Sequence, residues 1–309
     1  LAPLICALRA AGHELGALLS PANARAFAPG AFDRVYVVER IPWPAHGSTL
    51  ESYKLARARA RAARYDVALI ASEEPEAYRF AREAGAPVRV GFVNGWEKPF
   101  KSLWARAQLT RAIVRAASSR RAREHEVETL FRLGTGLHGE ARPTKETARL
   151  RALLVAGTAR KRGDERVALQ VVPKAFAGAR EHYVAIAQAL AREHRVVAIG
   201  APADRALVLA VAASAGVPGT VYEDVAQWRE ELARMRAVVT PDSGAAHLAG
   251  MAGVPCVDLF PAGKDAVHDV LRWSPWASPS RTLIAGPEPS GNAHAVVASL
   301  REILDDDER

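Results

Sequence analysis

The residues best suited to chemistry lie together in TPDSGAAHLAG, residues 240–250. Asp242 supplies an acid, Ser243 a hydroxyl, Gly244 a bare stretch of backbone, and His247 an imidazole three residues beyond that glycine. A serine nucleophile would need a base beside its hydroxyl. A phosphate cradle would need unpaired backbone N–H groups, most simply at the start of a helix. A capped helix would need only Asp or Ser ahead of its first turn, with the histidine incidental. The nucleophile reading fails on spacing, because glycine is required two residues before and two after the serine, where Pro241 and Ala245 stand. A GxxxxGK[ST] phosphate loop is absent from the sequence.

The other two readings describe one object. Pro241 favours a turn and disfavours the helical region for Thr240. Asp242 or Ser243 is a natural N-cap. Gly244 allows a close approach to the backbone. A helix beginning there would aim its free N–H groups and positive dipole end at an anion. Gly253 and Pro255 would stop it.

Short apolar runs alternate with longer amphipathic segments on either side of this stretch. In the first half, strands are predicted at Leu15–Leu19, Arg34–Val38, Val67–Ala71 and Val88–Val93. Helices are predicted at Leu4–Ala11, Leu50–Arg64, Glu76–Ala84, Trp104–Ala117 and Arg121–Leu133. LGTGLHGEARPTKE then breaks all periodicity and reads as a linker. In the second half, strands are predicted at Val167–Val172, Arg195–Gly200, Gly219–Tyr222, Ala237–Thr240, Pro255–Phe260 and Thr282–Ala285. Helices there fit Arg180–Arg192, Ala203–Ala215, Val225–Met235, Gly244–Ala252 and Ala293–Leu304. This alternation implies parallel sheets covered on both faces. The expected architecture is α/β: two doubly wound, Rossmann-like domains facing a cleft, with ligands beyond the carboxyl ends of the strands. The expected division is a domain over residues 1–137, a linker over 138–165 and a second domain over 166–309, whose last helix could pack back on the first domain.

The first element, LAPLICALRAAG, reads as a helix where a doubly wound domain normally opens with a strand. Either the fold is unusual, or the first strand and its following loop lie upstream of Leu1.

Composition narrows the class. The chain has 309 residues, 49% apolar and 25% charged, enough for one large or two ordinary domains with real cores. Cys6 and Cys256 lie far apart in apolar runs, which argues against a disulfide framework or metal knuckle and suits a reducing cytoplasm. No run approaches the ~18 apolar residues of a membrane span, and no signal-peptide pattern is visible. The net charge of +8 comes mostly from arginine, as in ARARARAARYD, where Arg57, Arg61 and Arg64 share a helical face. That face is either a solvated surface or one that attracts phosphate-bearing partners, including an anionic membrane. Nucleic acid is disfavoured, since only 6% of residues are aromatic and no binding motif occurs.

VVTPDSGAAHLAGMAGVPCVDLF resembles the C-terminal signature of glycosyltransferase family 9, the bacterial heptosyltransferases of lipopolysaccharide core assembly. Asp242, Ser243, Gly244 and His247 match its Asp-[Ser/Thr]-Gly-x-x-His in order and spacing. REHEVETLFRLGTGL, through His125, Val127 and Glu128, resembles the family's segment near the end of its first domain. VRVGF, VVAIGAPADRA and RWSPW resemble three further family stretches, so the likeness spans nearly the whole chain.

The resemblance implies a two-domain GT-B-like fold. It implies inverting transfer of a sugar, a heptose, from a nucleotide diphosphate donor such as ADP-heptose to a lipid-linked or cell-surface saccharide. No metal and no cofactor beyond the donor are expected. Ser243, Gly244 and the helix start would hold the donor diphosphate, with His247 adding a hydrogen bond or charge and Asp242 orienting the loop or a donor group. Asp204, four residues after Gly200, would bind the ribose hydroxyls. The implied location is the cytoplasm, with peripheral contact at the inner face of the membrane.

The chain departs from the family pattern in three places. The family's base is an aspartate in a Gly-Asp pair ahead of a Pro-x-[Ile/Leu] helix, which by register precedes Leu1; no catalytic base is assigned within the chain. The family's phosphate-contacting lysine is represented only by Lys174, about two residues early. PAGKDAVHD, with Lys264, replaces the usual Gly-Pro-Thr-[Asp/Glu]-Pro. These departures leave a second reading open, a catalytically degenerate nucleotide-sugar-binding accessory protein. A GT-B-like sugar-nucleotide epimerase is a third, which the family-specific segments oppose.

Overall fold

The computed structural model describes residues 1–39, 50–155, 165–173, 176 and 178–308. The chain divides into two compact units, Leu1–Thr144 and Lys145–Arg309.

Unit 1 opens with α1 (Ala2–Ala10) and β1 (Gly16–Leu19), followed by the short α2 (Pro21–Arg25) and β2 (Arg34–Val37). Then come α3 (Glu51–Ala63), β3 (Val67–Ile70), α4 (Pro75–Glu83), β4 (Val88–Val93), α5 (Pro99–Gln108), β5 (Arg111–Val114) and α6 (Glu126–Phe131). All strand pairs are parallel, in two separate sheets, β1-β2 and β3-β4-β5. Leu4, Ala7 and Leu8 of α1 bury against Val90 and Phe92 of β4 and Phe131 of α6. Their i, i+3, i+4 spacing is what makes α1 amphipathic.

Two expectations for this unit need correction. The helix predicted over Trp104–Ala117 ends at Gln108, and Arg111–Val114 is a strand. Leu109 turns to extended backbone (φ −101°, ψ 153°), and the Thr110 hydroxyl takes the N–H of Arg89 (2.8 Å). Those contacts feed Ile113 and Val114 into the sheet beside β4, where β-branched side chains fit well. The helix predicted over Arg121–Leu133 is a 3-10 turn, Ser119–Arg121, then an extended break, then α6. His125 restarts the helix with a capping box: its Nδ1 accepts the Val127 N–H (3.1 Å), and Glu128 accepts the His125 N–H (3.2 Å). Two of the family-like positions here thus build a helix start.

Unit 2 begins with α7 (Thr147–Ala152), inside the stretch predicted as linker. Arg151 of α7 is buried and donates to the carbonyls of Ala233 (3.0 Å) and Ala252 (2.8 Å), which binds this segment to the unit. The rest follows as β6 (Arg166–Gln170), α8 (Ala179–Leu190), β7 (Arg195–Gly200), α9 (Arg205–Ala215), β8 (Gly219–Val221) and α10 (Val225–Leu232). It closes with β9 (Ala237–Pro241), α11 (Gly244–Ala252), β10 (Cys256–Phe260), α12 (Ala266–Trp273), β11 (Ser280–Ile284) and α13 (Pro289–Glu308). The six strands form one parallel sheet, ordered β11-β10-β9-β6-β7-β8. The sheet is doubly wound: the chain moves from β6 out to β8, then returns to β9 and continues out to β11.

Period-2 alternation sends Val167, Leu169, Ala237, Val239, Val257 and Leu259 to one face of this sheet. There they meet Tyr183, Ile186 and Leu190 of α8 and Val296, Leu300 and Ile303 of α13. Each such aliphatic side chain contributes about 1.5–3 kcal/mol on full burial. α11 covers β9 and β10. Cys6 and Cys256 are both free and buried.

Candidate functional site

In a doubly wound sheet the crevice opens where the strand order reverses. In unit 2 that point lies between β6 and β9, so the loops following these two strands flank it. The loop after β9 is Asp242–Ser243, and α11 begins at Gly244. Asp242 leaves the sheet while its N–H still donates to the carbonyl of Leu259 on β10 (3.0 Å). Ser243 is extended (φ −160°, ψ 177°) and caps α11, its Oγ accepting the Ala245 N–H (3.2 Å).

The serine belongs to a directed chain of hydrogen bonds. The wholly buried Thr240 hydroxyl donates to the carbonyl of Pro241 (2.8 Å) and lies 3.0 Å from the Ser243 hydroxyl. Thr240 has one proton, already given to Pro241, so Ser243 donates to Thr240. The order is Ala245 N–H to Ser243, Ser243 O–H to Thr240, Thr240 O–H to Pro241. The serine proton is therefore engaged with the protein. Of the first-turn N–H groups of α11, Ala245's goes to Ser243 Oγ and His247's to the Ser243 carbonyl, which leaves those of Gly244 and Ala246 to meet an anion.

Gly244 is exposed, and the nearest atom to a Cβ placed there would be Trp228 Cη2 of α10, at 3.9 Å. His247, one turn into α11, is half-buried, with its ring 6.2 Å from that of Trp273 at the end of α12. Two tryptophans from flanking helices thus border the start of α11. The α12 helix takes in the last four residues of PAGKDAVHD, where no helix is predicted; Lys264 lies exposed just before it.

Asp204 ends the 3-10 turn Pro202–Asp204 after β7 and precedes α9. β7 is two strands from β9, a lateral span of about 10 Å. Lys174 lies outside the described residues. The end of β6 itself is pinned by Tyr183, whose hydroxyl donates to the carbonyl of Val172 (3.1 Å).

Beneath the loop stands a residue that the sequence reading passed over. Asp258 on β10 is wholly buried, and neither carboxyl oxygen has a hydrogen-bond partner. Burial, and then the charge of Asp242, push its carboxyl up to about 8. It pairs across the ladder with Thr240. Its signal in the sequence was an acid inside the apolar run VPCVDLF.

Unit 1 holds a second polar cluster, also at strand carboxyl ends. Glu73 follows β3, Asn94 follows β4 and Arg115 follows β5. Arg115 bonds Glu73 through Nη1 and Glu126 through Nε (2.7 Å). Lys101 donates to Glu73 (2.7 Å), and the buried Asn94 donates to both Glu73 and the Arg115 carbonyl (3.2 Å each). Burial alone would raise the Glu73 carboxyl; hydrogen bonds from Lys101, Arg115 and Asn94 overrule it and hold it at about 2.

Among the described residues, no group of three or more His, Cys, Asp or Glu side chains could hold a metal ion. None of their helices is long and apolar enough to cross a membrane.

Comparison with known proteins gives the same picture. No curated protein matches the sequence. The chain is similar to the solved structure of Escherichia coli heptosyltransferase WaaC with ADP, at 18% identity and TM-score 0.71, over 97% of this chain and 95% of that one. It is similar to E. coli ADP-heptose lps heptosyltransferase II at 16% identity and TM-score 0.68, over 100% and 96%. A glycosyl transferase family 9 structure from Veillonella parvula gives 13% identity and TM-score 0.68, over 99% and 94%. These likenesses establish the two-domain GT-B-like fold. The model of glycosyltransferase family 9 (heptosyltransferase) matches residues 53–295, which include Asp204 and the whole Asp242–His247 block, and the chain belongs to that family.

Proposed function

We propose that the chain transfers a heptose from a nucleotide diphosphate donor to a lipid-linked saccharide, with inversion and without a metal ion. The observation that carries this reading is the capped start of α11 beside the sheet's reversal point. First-turn N–H groups and the helix dipole form a fixed positive end where a diphosphate can sit. As the sugar leaves, negative charge grows on the departing nucleoside diphosphate. Preorganised donors around that position lower the barrier by meeting the charge without reorganising. His247, one turn into the same helix, adds a hydrogen bond or a positive charge. The Asp242 backbone ties the loop to β10, and its carboxylate orients the loop or a donor group. Asp204, about two strand spacings away, accepts from the ribose hydroxyls, and Lys174 contacts phosphate. The acceptor saccharide binds unit 1, and no base for its hydroxyl is assigned within the chain.

The relatives whose structures bear the names of ADP and an ADP-heptose analogue support ADP-heptose as the donor. A thermal-shift panel of nucleoside diphosphates and nucleotide sugars tests it. The true donor stabilises the folded state by mass action, by about 2.7 kcal/mol at a hundredfold excess over Kd. ADP-heptose should give the largest shift, and the same donor should then turn over with a lipid-linked acceptor. Shifts for other nucleotides but not ADP would replace the donor; binding without turnover would favour the accessory-protein reading.

A further inference from the structure

The α5 helix leaves part of its apolar surface outside. Its inner face carries Ser102, Ala105 and Gln108, all buried, with the Trp104 ring 5.9 Å from that of Tyr78. The Ser102 hydroxyl accepts the Asn94 N–H (3.1 Å) and donates to the Gly95 carbonyl (3.0 Å). Gln108 takes Arg82 on its side chain (3.2 Å) and Arg89 on its carbonyl (2.7 Å). Phe100 and Leu103, with Trp96 just ahead of the helix, are on the outside. Trp96, in the 3-10 turn just before the helix, is 95% exposed, Phe100 88% and Leu103 71%.

Phe100 and Leu103, three residues apart on α5, share a face with Ala107. Trp96 stands in the turn just before Lys98, whose backbone is not helical (φ −140°, ψ 74°), so the chain rather than the helical period joins it to them. An ordinary surface helix turns such side chains inward. Three large side chains this exposed in one eight-residue stripe of chain, Trp96–Leu103, mark a contact surface rather than the scattered exposure common to all proteins.

The stripe is bordered by positive charge. Lys98 and Arg106 are exposed on α5 and its lead-in. The exposed run Arg120, Arg121, Arg123 is brought alongside by Arg121, 4.0 Å from Glu97. Glu97 is the adjoining acid, and its side chain is only 20% exposed. A second copy of this chain, at net charge +8, would meet the same cations and be repelled. An anionic lipid surface satisfies both halves of the patch. Trp, Phe and Leu enter the headgroup–acyl boundary while Lys and Arg meet lipid phosphates.

We infer that the Trp96–Leu103 stripe with its arginine border is a membrane-insertion element that seats unit 1 on an anionic bilayer. It requires no particular donor or acceptor, so the test uses pure phospholipid vesicles without saccharide or nucleotide sugar. A failed donor assay and a failed vesicle assay are therefore separate results.

The test is flotation of the full chain with vesicles of phosphatidylglycerol and phosphatidylcholine, and with phosphatidylcholine alone. The chain should bind the anionic vesicles, and added salt should weaken that binding. The triple variant Trp96→Ala, Phe100→Ser, Leu103→Ser should partition at least about tenfold less, with an unchanged Tm because these side chains are exposed. A second variant, Lys98→Gln with Arg106→Gln, should lose affinity for anionic vesicles only. Equal partitioning of wild type and triple variant, or no wild-type binding to anionic vesicles at low salt, would overturn the inference. So would a concentration-dependent dimer that the triple variant abolishes, since a second copy would then be the occupant.

Discussion

Asp242 and Asp258 share one end of the β9–β10 pair, with the Asp242 N–H bonded to the residue immediately after Asp258. One acid reaches solvent at the site, and the other is sealed beneath it. With its carboxyl pushed up to about 8, Asp258 is protonated in the folded chain at neutral pH. In the unfolded chain it ionises near 3.8. The folded state thus holds a proton that the unfolded state releases. This group's contribution to stability is therefore most favourable below pH ~4 and declines, by at most about 1.4 kcal/mol per pH unit, until pH ~8. Asp258→Asn keeps the shape and removes the titration. The variant should have the higher Tm at pH 7–8, with the gap closing toward pH 4. A gap independent of pH would show that Asp258 does not titrate in this window.

Glu73 has the opposite sign. Its carboxyl is held at about 2, below its ordinary 4.5, so its contribution is full above pH ~4.5 and is lost as pH falls toward 2. Glu73→Gln leaves Lys101 and Arg115 without this acid, although Arg115 keeps Glu126. These side chains are about one-fifth exposed, apart from Lys101 at 36% and the more buried Glu126. The expected cost lies between that of surface and fully buried pairs, about 2 kcal/mol at pH 7. Urea unfolding should show the loss shrinking below pH 4. An equal loss at pH 7 and pH 3 would mean that packing, not charge, is what the glutamate supplies.

Asp242→Ala and His247→Ala should impair the reaction differently from a folding defect. Removing a donor-site hydrogen bond to a charged group costs ~1.5–3 kcal/mol, a drop of roughly tenfold to a hundredfold in kcat/KM. Thermal unfolding of both variants should stay close to wild type, with the ligand-induced shift reduced. Wild-type donor affinity and turnover in both would remove these residues from the site.

The β9–α11–β10 unit was readable because every local signal agreed. An apolar run, Thr-Pro, a serine cap, Gly253 in the left-handed region (φ 72°) and Pro255 all mark the same boundaries. β5 was not readable: four residues, RAIV, continue a run of helix formers, and only pairing with β4 makes them a strand. α12 was passed over although Val267, Val270 and Leu271 stand at the helical spacing i, i+3, i+4; the run is short, and Val267 and Leu271 face solvent in the fold. The cluster of Glu73, Asn94 and Arg115 has no local spacing at all. Its members stand 21 residues apart, and the parallel register, Ile70 against Gly91 and Val93 against Val114, brings them to one end of the sheet. Sequence periodicity locates elements; it does not reveal which strand ends meet.

Gly244 separates a binding role from a folding role most cleanly. Its φ is not in the left-handed region, so an L side chain imposes no backbone strain there. A Cβ would meet only Trp228 Cη2, at an ordinary contact distance of 3.9 Å. Nothing within the protein therefore requires glycine at the first position of α11. In a helix, alanine is if anything the better residue, by up to about 1 kcal/mol. If a diphosphate lies against this backbone, the added methyl occupies ligand space. Gly244→Ala should then keep or raise the Tm of the free protein while weakening donor binding by tenfold or more, about 1.4 kcal/mol. Calorimetric titration of the donor into both forms, beside their unliganded melting curves, measures the two effects independently. A variant that is as stable as wild type and binds donor equally well would place the diphosphate elsewhere in unit 2.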